Sequence, residues 1–376
     1  MNRFSKYLDF DWIAVVAVGF LLMTGLVAIY SLSLEVEREG FNNFQKQFLF
    51  LCFAIVVFLA FSWLDYRTWK SYGGILYLFG VFLLVAVLFW GVQIRGTSGW
   101  FSFGIFNLQP AELVKLFLII SLAKYFSQIS ASHLGLRHVL VSFVYVIIPV
   151  VLVAKQPDMG SALVMIVIWF GILFLAGLKK KYLFVLIMLA VVTFVFGWNI
   201  VLKDYQQQRI ESFMNPGADP LGSGYNVIQS MVAVGSGGVS GKGLGHGSQS
   251  QLNFLPEKHT DFIFATIAEE SGLVGASLVL GLLWLLLFRM KKTSDVSKDS
   301  FGRLLVGGVM IMIFFQVFIN IGMNLGIMPI AGLSLPFLSY GGSFLIVTLA
   351  ATGLTQSVWK RRVKRKISLE GSLGRI

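Results

Sequence analysis

The chain has 376 residues, 56% of them hydrophobic and only 13% charged, with 30 Lys and Arg against 18 Asp and Glu for a formal net charge of +12. Soluble domains run at roughly 45–50% apolar and about 25% charged residues, so this composition excludes an ordinary water-soluble enzyme and points to a polytopic membrane protein. The single cysteine, Cys52, excludes a disulfide scaffold and a metal site of CxxC type.

A helix that crosses a hydrocarbon core about 30 Å thick needs about 20 mostly apolar residues. The first such stretch, Asp11 to Ser33, follows a short segment with Arg3 and Lys6; it is long and lacks a small-residue cleavage site, so it reads as a membrane helix and not as a signal peptide. Phe48 to Leu64 and Tyr72 to Gly91 come next. The connection from Val92 to Gln109 carries Arg95 and an aromatic cluster, Trp100 to Phe106, which reads as interfacial anchoring. Pro110 opens the fourth stretch, Pro110 to Phe126. Glu112 and Lys115 stand three apart on one face of it and can pair there. Ionisable residues at membrane depth cost about 2.5 to 3.5 kcal/mol each on insertion, so this pair is a functional candidate beside its reading as a structural salt bridge.

Val139 to Ala154 is the fifth stretch. After it, KQPDMGSAL at Lys155 to Leu163 puts Pro157 and Asp158 at the start of the sixth, Met159 to Leu178, where a carboxylate suits the positive end of the helix dipole. The seventh, Tyr182 to Leu202, leads into a connection from Lys203 to Asp261, long enough at about sixty residues to suggest function. It holds ten glycines between Gly217 and Gly247, yet GxxxxGK[ST] fails at Ser236 and at Gly243, so no nucleotide loop is supported. The run is either a flexible or tightly turning loop, or backbone N–H groups lying near an anion.

The eighth stretch, Phe262 to Phe288, has Asp261 at its mouth and Glu269 and Glu270 about two turns deeper. Asp261 reads either as a helix cap with Thr260 or as a carboxylate poised between water and apolar wall. In the ninth, Arg303 to Leu325, Gln316, Asn320 and Asn324 recur every four residues as a polar stripe of the kind that glues helices together. MPIAGLSLPFLSYGGS, Met328 to Ser343, is a Pro- and Gly-broken approach to the tenth stretch, Ser339 to Trp359. Broken backbone at that depth survives only in protein or beside a cavity.

With ten helices both termini share one side. Placing them inside puts 21 of the 30 Lys and Arg residues on inner segments and 8 on outer ones, so the termini are expected in the cytoplasm. The basic run from Lys360 to Lys366 then reads as an anchor beside anionic lipid and not as a nucleic-acid surface. The expected fold is an all-α integral membrane protein of about ten helices, one domain over residues 1–376 with a large extracytoplasmic loop at 203–261.

Five ordered blocks also resemble the shape, elongation, division and sporulation family that includes RodA and FtsW. They are RGTSGWFSFGIFNLQPAELVKL at Arg95 to Leu116, KQPDMGSAL, QRIESFMNP at Gln208 to Pro216, the segment from Gly224 to Phe264 ending HTDFIF, and LPFLSYGGS at Leu335 to Ser343. The short outer loops look more like RodA, the elongation member. Ala111 and Phe344 depart from a family pattern that favours Ser, without removing a titratable group.

The resemblance implies a peptidoglycan glycosyltransferase that polymerises lipid II into β-1,4-linked strands at the outer face of the bacterial cytoplasmic membrane. It implies inversion, with Asp261 as the essential carboxylate and general base. The leaving pyrophosphate calls for positive charge, from Arg95, Lys115, Lys155, Arg209 or Lys242. Glu112, Gln156, Asp158, His259, Ser339, Tyr340 and Ser343 complete the substrate-binding candidates. A divalent cation, Mg2+ or Mn2+, can assist such chemistry, although the sequence shows no ligand cluster for one. The expected partner is a class B penicillin-binding protein. A lipid II flippase and a non-catalytic scaffold for that partner fit the same motifs; Asp261 at the outer mouth, not at mid-membrane, favours the enzyme.

Overall fold

The computed structural model describes residues 9–34, 39–94, 96–104, 106–201, 204–222 and 224–363. Its helices in chain order are α1 (Trp12–Ser33), α2 (Glu39–Trp63), α3 (Tyr66–Trp90), α4 (Pro110–Ser127), α5 (Leu136–Lys155), α6 (Met159–Ala176) and α7 (Lys180–Val201). The long connection then contains α8 (Asp204–Met214), α9 (Tyr225–Ser236) and the single turn α10 (Ser248–Gln251). Last come α11 (Ile263–Asp295), α12 (Ser300–Asn324) and α13 (Gly342–Lys360). All ten predicted stretches are helical, and eight of these helices are long and apolar enough to cross a membrane. The less apolar α4, with Glu112, Lys115 and Lys124, is nonetheless almost wholly enclosed by its neighbours.

Aspartates set many of the starts. The carboxylates of Asp11, Asp65, Asp158 and Asp299 accept a backbone N–H from the first turn of α1, α3, α6 and α12, and Pro110 stands at the first position of α4, where its missing N–H has no consequence. The centre of the bundle is α4, α12 and α13. The α12 helix packs on α4, α6 and α11, α13 lies along α2, and α1 lies along α11. Small residues allow these approaches: a Cβ on Gly353 would stand 2.6 Å from the Phe58 carbonyl oxygen, and one on Gly342 would meet the Phe50 ring.

Two features depart from a plain all-α reading. The connection between α3 and α4 folds into an antiparallel sheet, β1 (Val92–Ile94), β2 (Thr97–Ser102) and β3 (Asn107–Leu108) in that order, with Trp100 opposite Val92 and Phe101 opposite Leu108. And α11 is broken at Gly272, whose φ of +66° and ψ of −163° lie outside helical space. The glycine run of the long connection fills that break. Lys242 and Gly243 donate their N–H to the carbonyls of Glu269 and Glu270, both at 3.0 Å, while Leu273 and Val274 donate to Gly238 and Val239. In lipid such groups must find partners inside the protein, and here the glycine loop supplies them.

Candidate active site

The broken helix explains the two adjacent glutamates. The buried Glu269 carboxylate accepts from the N–H groups of Gln249 and Ser250 and from Lys242 Nζ at 2.8 Å, while that of Glu270 accepts from Ser31 Oγ, Gly245 N–H and Gln251 Nε2. They hold residues 237–251 against α11. The glycine run is therefore a tight-turning strap, and the N–H groups of Lys242, Gly243 and Gly245 are spent on the helix and its carboxylates instead of facing an anion.

A cavity of about 310 Å3, lined by no residue of the strap, is bounded by α2, the small sheet, α8, α12, the starts of α4, α6 and α13, and the segment between α12 and α13. Asp261, Glu112, Asp158, Arg209, Tyr340 and Ser343, all candidates from sequence, line it together. Asp261 sits half-buried just before α11, whose cap position is Phe262 with no side-chain cap bond, so the aspartate is not the helix cap. A Cβ on Gly332 would lie 3.7 Å from Asp261 Oδ2, and Gly332 has a φ of +64°, so glycine leaves the space in front of the carboxylate open.

The backbone that carries Asp261 is suspended by its carbonyls. Tyr340 N–H donates to the carbonyl of His259 at 2.9 Å, Ser339 Oγ to that of Thr260 at 2.7 Å, and Asn320 and Asn324 both donate to that of Asp261, at 2.9 and 3.0 Å. Ser339 thus acts behind the cavity and not in it. The Ser343 hydroxyl donates to the Asn107 carbonyl and accepts from Gln109 N–H, which ties α13 to the sheet.

On the opposite wall Lys115 Nζ meets Glu112 Oε1 at 2.7 Å, the lysine fully enclosed and the glutamate facing the cavity. Asp158 accepts from Gln109 Nε2 at 2.9 Å while capping Ser161. Gln156 is buried behind the sheet, giving Nε2 to the Leu84 carbonyl. Lys155 is exposed and Lys242 is paired with Glu269; neither lines the cavity. Arg95 lies outside the described residues.

The sequence reading missed Lys46, Gln109 and Gln316, all of which line the cavity. Lys46 falls before the predicted start of its helix at Phe48, whereas α2 begins at Glu39; a cation at the mouth of a span was the available signal. Gln316 shares the polar stripe of α12, and its buried Oε1 has no hydrogen-bond partner among the described residues. Three carboxylates and two cations therefore face one space, with Lys115 as a third cation behind Glu112. Such a site can take a proton, hold hydroxyl and amide groups, and balance an anionic leaving group.

The family model described as cell cycle protein, covering FtsW, RodA and SpoVE, matches residues 12–364. The chain is 38% identical over 342 residues to peptidoglycan glycosyltransferase MrdB of Escherichia coli K12, covering 91% of each chain. Among solved structures it is similar to a chain of a peptidoglycan synthase complex in which polymerization and crosslinking are structurally coordinated, with a TM-score of 0.81, 33% identity, and 94% of this chain and 99% of that one covered. It is also similar to the rod shape determining protein RodA of Thermus thermophilus, with a TM-score of 0.71, 29% identity, and 94% and 98% covered.

Proposed function

This chain belongs to the FtsW, RodA and SpoVE family of cell cycle proteins, and on that premise we propose that its Asp261 cavity joins the disaccharides of lipid II into glycan. The protein is a multi-pass membrane peptidoglycan glycosyltransferase of RodA type. The observation that carries the assignment is the convergence of Asp261 with Arg209, Lys46, Glu112 and Asp158 in one cavity.

In an inverting transfer the acceptor hydroxyl oxygen forms a bond to the anomeric carbon as the bond from that carbon to the diphosphate oxygen breaks. The bonding pair leaves with the diphosphate, and the hydroxyl proton passes to the Asp261 carboxylate. Lys46 and Arg209 supply positive charge for the diphosphate, and the Glu112 and Asp158 carboxylates accept from sugar hydroxyl or amide groups. Among the described residues no three His, Cys, Asp or Glu side chains are grouped to hold a metal ion.

The Lys and Arg excess near residues 179–181, 289–298 and 360–366 supports cytoplasmic termini and, with them, an outer-side cavity in the bacterial cytoplasmic membrane. The similarity to a chain from a complex that couples polymerization to crosslinking supports a class B penicillin-binding protein as partner. MrdB is named for glycosyl transfer and not for lipid transport, which favours the enzyme over a flippase or a bare scaffold.

The test is Asp261→Asn, which keeps the shape and removes the base. With labelled lipid II in proteoliposomes, glycan polymer read on a gel should fall by about 100- to 10,000-fold while partner binding is retained. Polymer at the parental rate overturns the assignment.

A further inference from the structure

The first turn of a helix leaves its leading N–H groups without intrahelical acceptors, and usually the side chain of the cap residue accepts the N–H two or three positions on. The cap residue of α11 is Phe262, which has no such oxygen. The acceptor comes instead from another helix: Asn324 Oδ1, at the end of α12, takes the N–H of Ala265 at 2.9 Å. The same carboxamide gives its Nδ2 to the carbonyl of Asp261 at 3.0 Å.

Asp261 C=O and Ala265 N–H are the pair that would bond each other if α11 began earlier. The next pair along, Phe262 C=O and Thr266 N–H, does bond directly, at 3.2 Å. The Asn324 amide is therefore spliced into the first bond of the helix. It satisfies both backbone groups while Asp261 stays outside the helix with its carboxylate on the cavity. Asn320 gives a second donor to the same carbonyl at 2.9 Å and one to the carbonyl of Leu333 at 2.7 Å, another cavity-lining residue. Both asparagines are fully buried.

We infer that Asn324, assisted by Asn320, is a positioning residue for glycosyl transfer: it sets the backbone at Asp261 so that the carboxylate meets the acceptor hydroxyl. This rests on the reading of Asp261 as the base. Only a carboxamide carries a donor and an acceptor at this reach. An ionised Asp at position 324 keeps the acceptor alone, and Ala keeps neither. A displacement of about 1 Å at a reacting group costs on the order of 100-fold in rate, so the consequence falls on kcat. Interhelical glue, the role the stripe suggests from sequence, would instead show as lost folding with normal turnover by the molecules that fold.

The experiment uses the full chain in proteoliposomes, with initial polymerisation rates against lipid II concentration for Asn324→Asp, Asn320→Ala and Asp261→Asn, each normalised to folded protein. Asn324→Asp should lower kcat by about 10- to 100-fold with KM within about threefold of the parent. Parental kcat in Asn324→Asp while Asp261→Asn is silent overturns the inference alone. Parental turnover in Asp261→Asn overturns the base assignment and the inference with it. Should Asn324→Asp fail to fold, Asn320→Ala decides by the same criterion: a lowered kcat at unchanged KM supports positioning, and a parental kcat overturns it.

Discussion

Removing Lys115 and the charge of Glu112 together should cost this protein clearly less than the sum of removing each alone. The ammonium stands 2.7 Å from Glu112 Oε1, with side-chain exposures of 0% and 9%. At that separation and an effective dielectric of about 20 the attraction is about 6 kcal/mol, and desolvation of the two ions offsets most of it. Truncating one partner leaves the other charge enclosed without compensation, so Lys115→Met and Glu112→Gln should each cost about 3 to 5 kcal/mol. The double variant leaves no ion to compensate, and its cost should fall short of the sum of the single costs by more than about 2 kcal/mol. The assay is unfolding in mixed micelles titrated with a denaturing detergent and followed by tryptophan fluorescence. Additive losses, or single variants within about 0.5 kcal/mol of the parent, would refute the reasoning.

Gly272→Ala places a Cβ 2.3 Å from Gly241 N in a backbone region reserved for glycine, so it should destabilise by about 3 kcal/mol or more and expose residues 237–251 to limited proteolysis; Gly281→Ala, with nothing within 4 Å of the new Cβ, is the control and should be neutral or slightly stabilising. Burial raises the pKa of Asp299, but the N–H of Gly302, the Tyr66 hydroxyl and the Arg67 guanidinium outweigh it and hold the carboxyl below the ordinary value of 3.8. Its stabilisation is therefore present above that pH and lost as pH falls through the lower folded value, so the difference in Tm between parent and Asp299→Asn should be full near neutrality and shrink below about pH 3.8.

The long apolar stretches were legible because length and hydropathy are properties of a segment alone. The Glu112–Lys115 pair was legible for a similar reason, since its three-residue spacing puts both on one helical face. Asp261 could be found as a carboxylate at a helix mouth, but not what holds it, because Asn324 is 63 residues further on and reaches it only through the fold. Lys242 was read as a charge for the substrate; its partner Glu269 lies 27 residues away, across a helix break that an uninterrupted apolar pattern conceals. The sheet between α3 and α4 was read as a loop because strands of two to six residues carry too few side chains to show alternation.

The suspension of residues 259–261 also bears on how the enzyme is made. The groups that hold Asp261 and Thr260 come 59, 63 and 79 residues later in the chain, at Asn320, Asn324 and Ser339. As the ribosome delivers the protein from its N-terminus, Asp261 emerges before any of them, and its backbone has no anchor until α12 is inserted and the approach to α13 has folded back. A nascent chain therefore carries Asp261 into the membrane before its backbone is anchored, and the cavity around it closes only when the approach to α13 is in place.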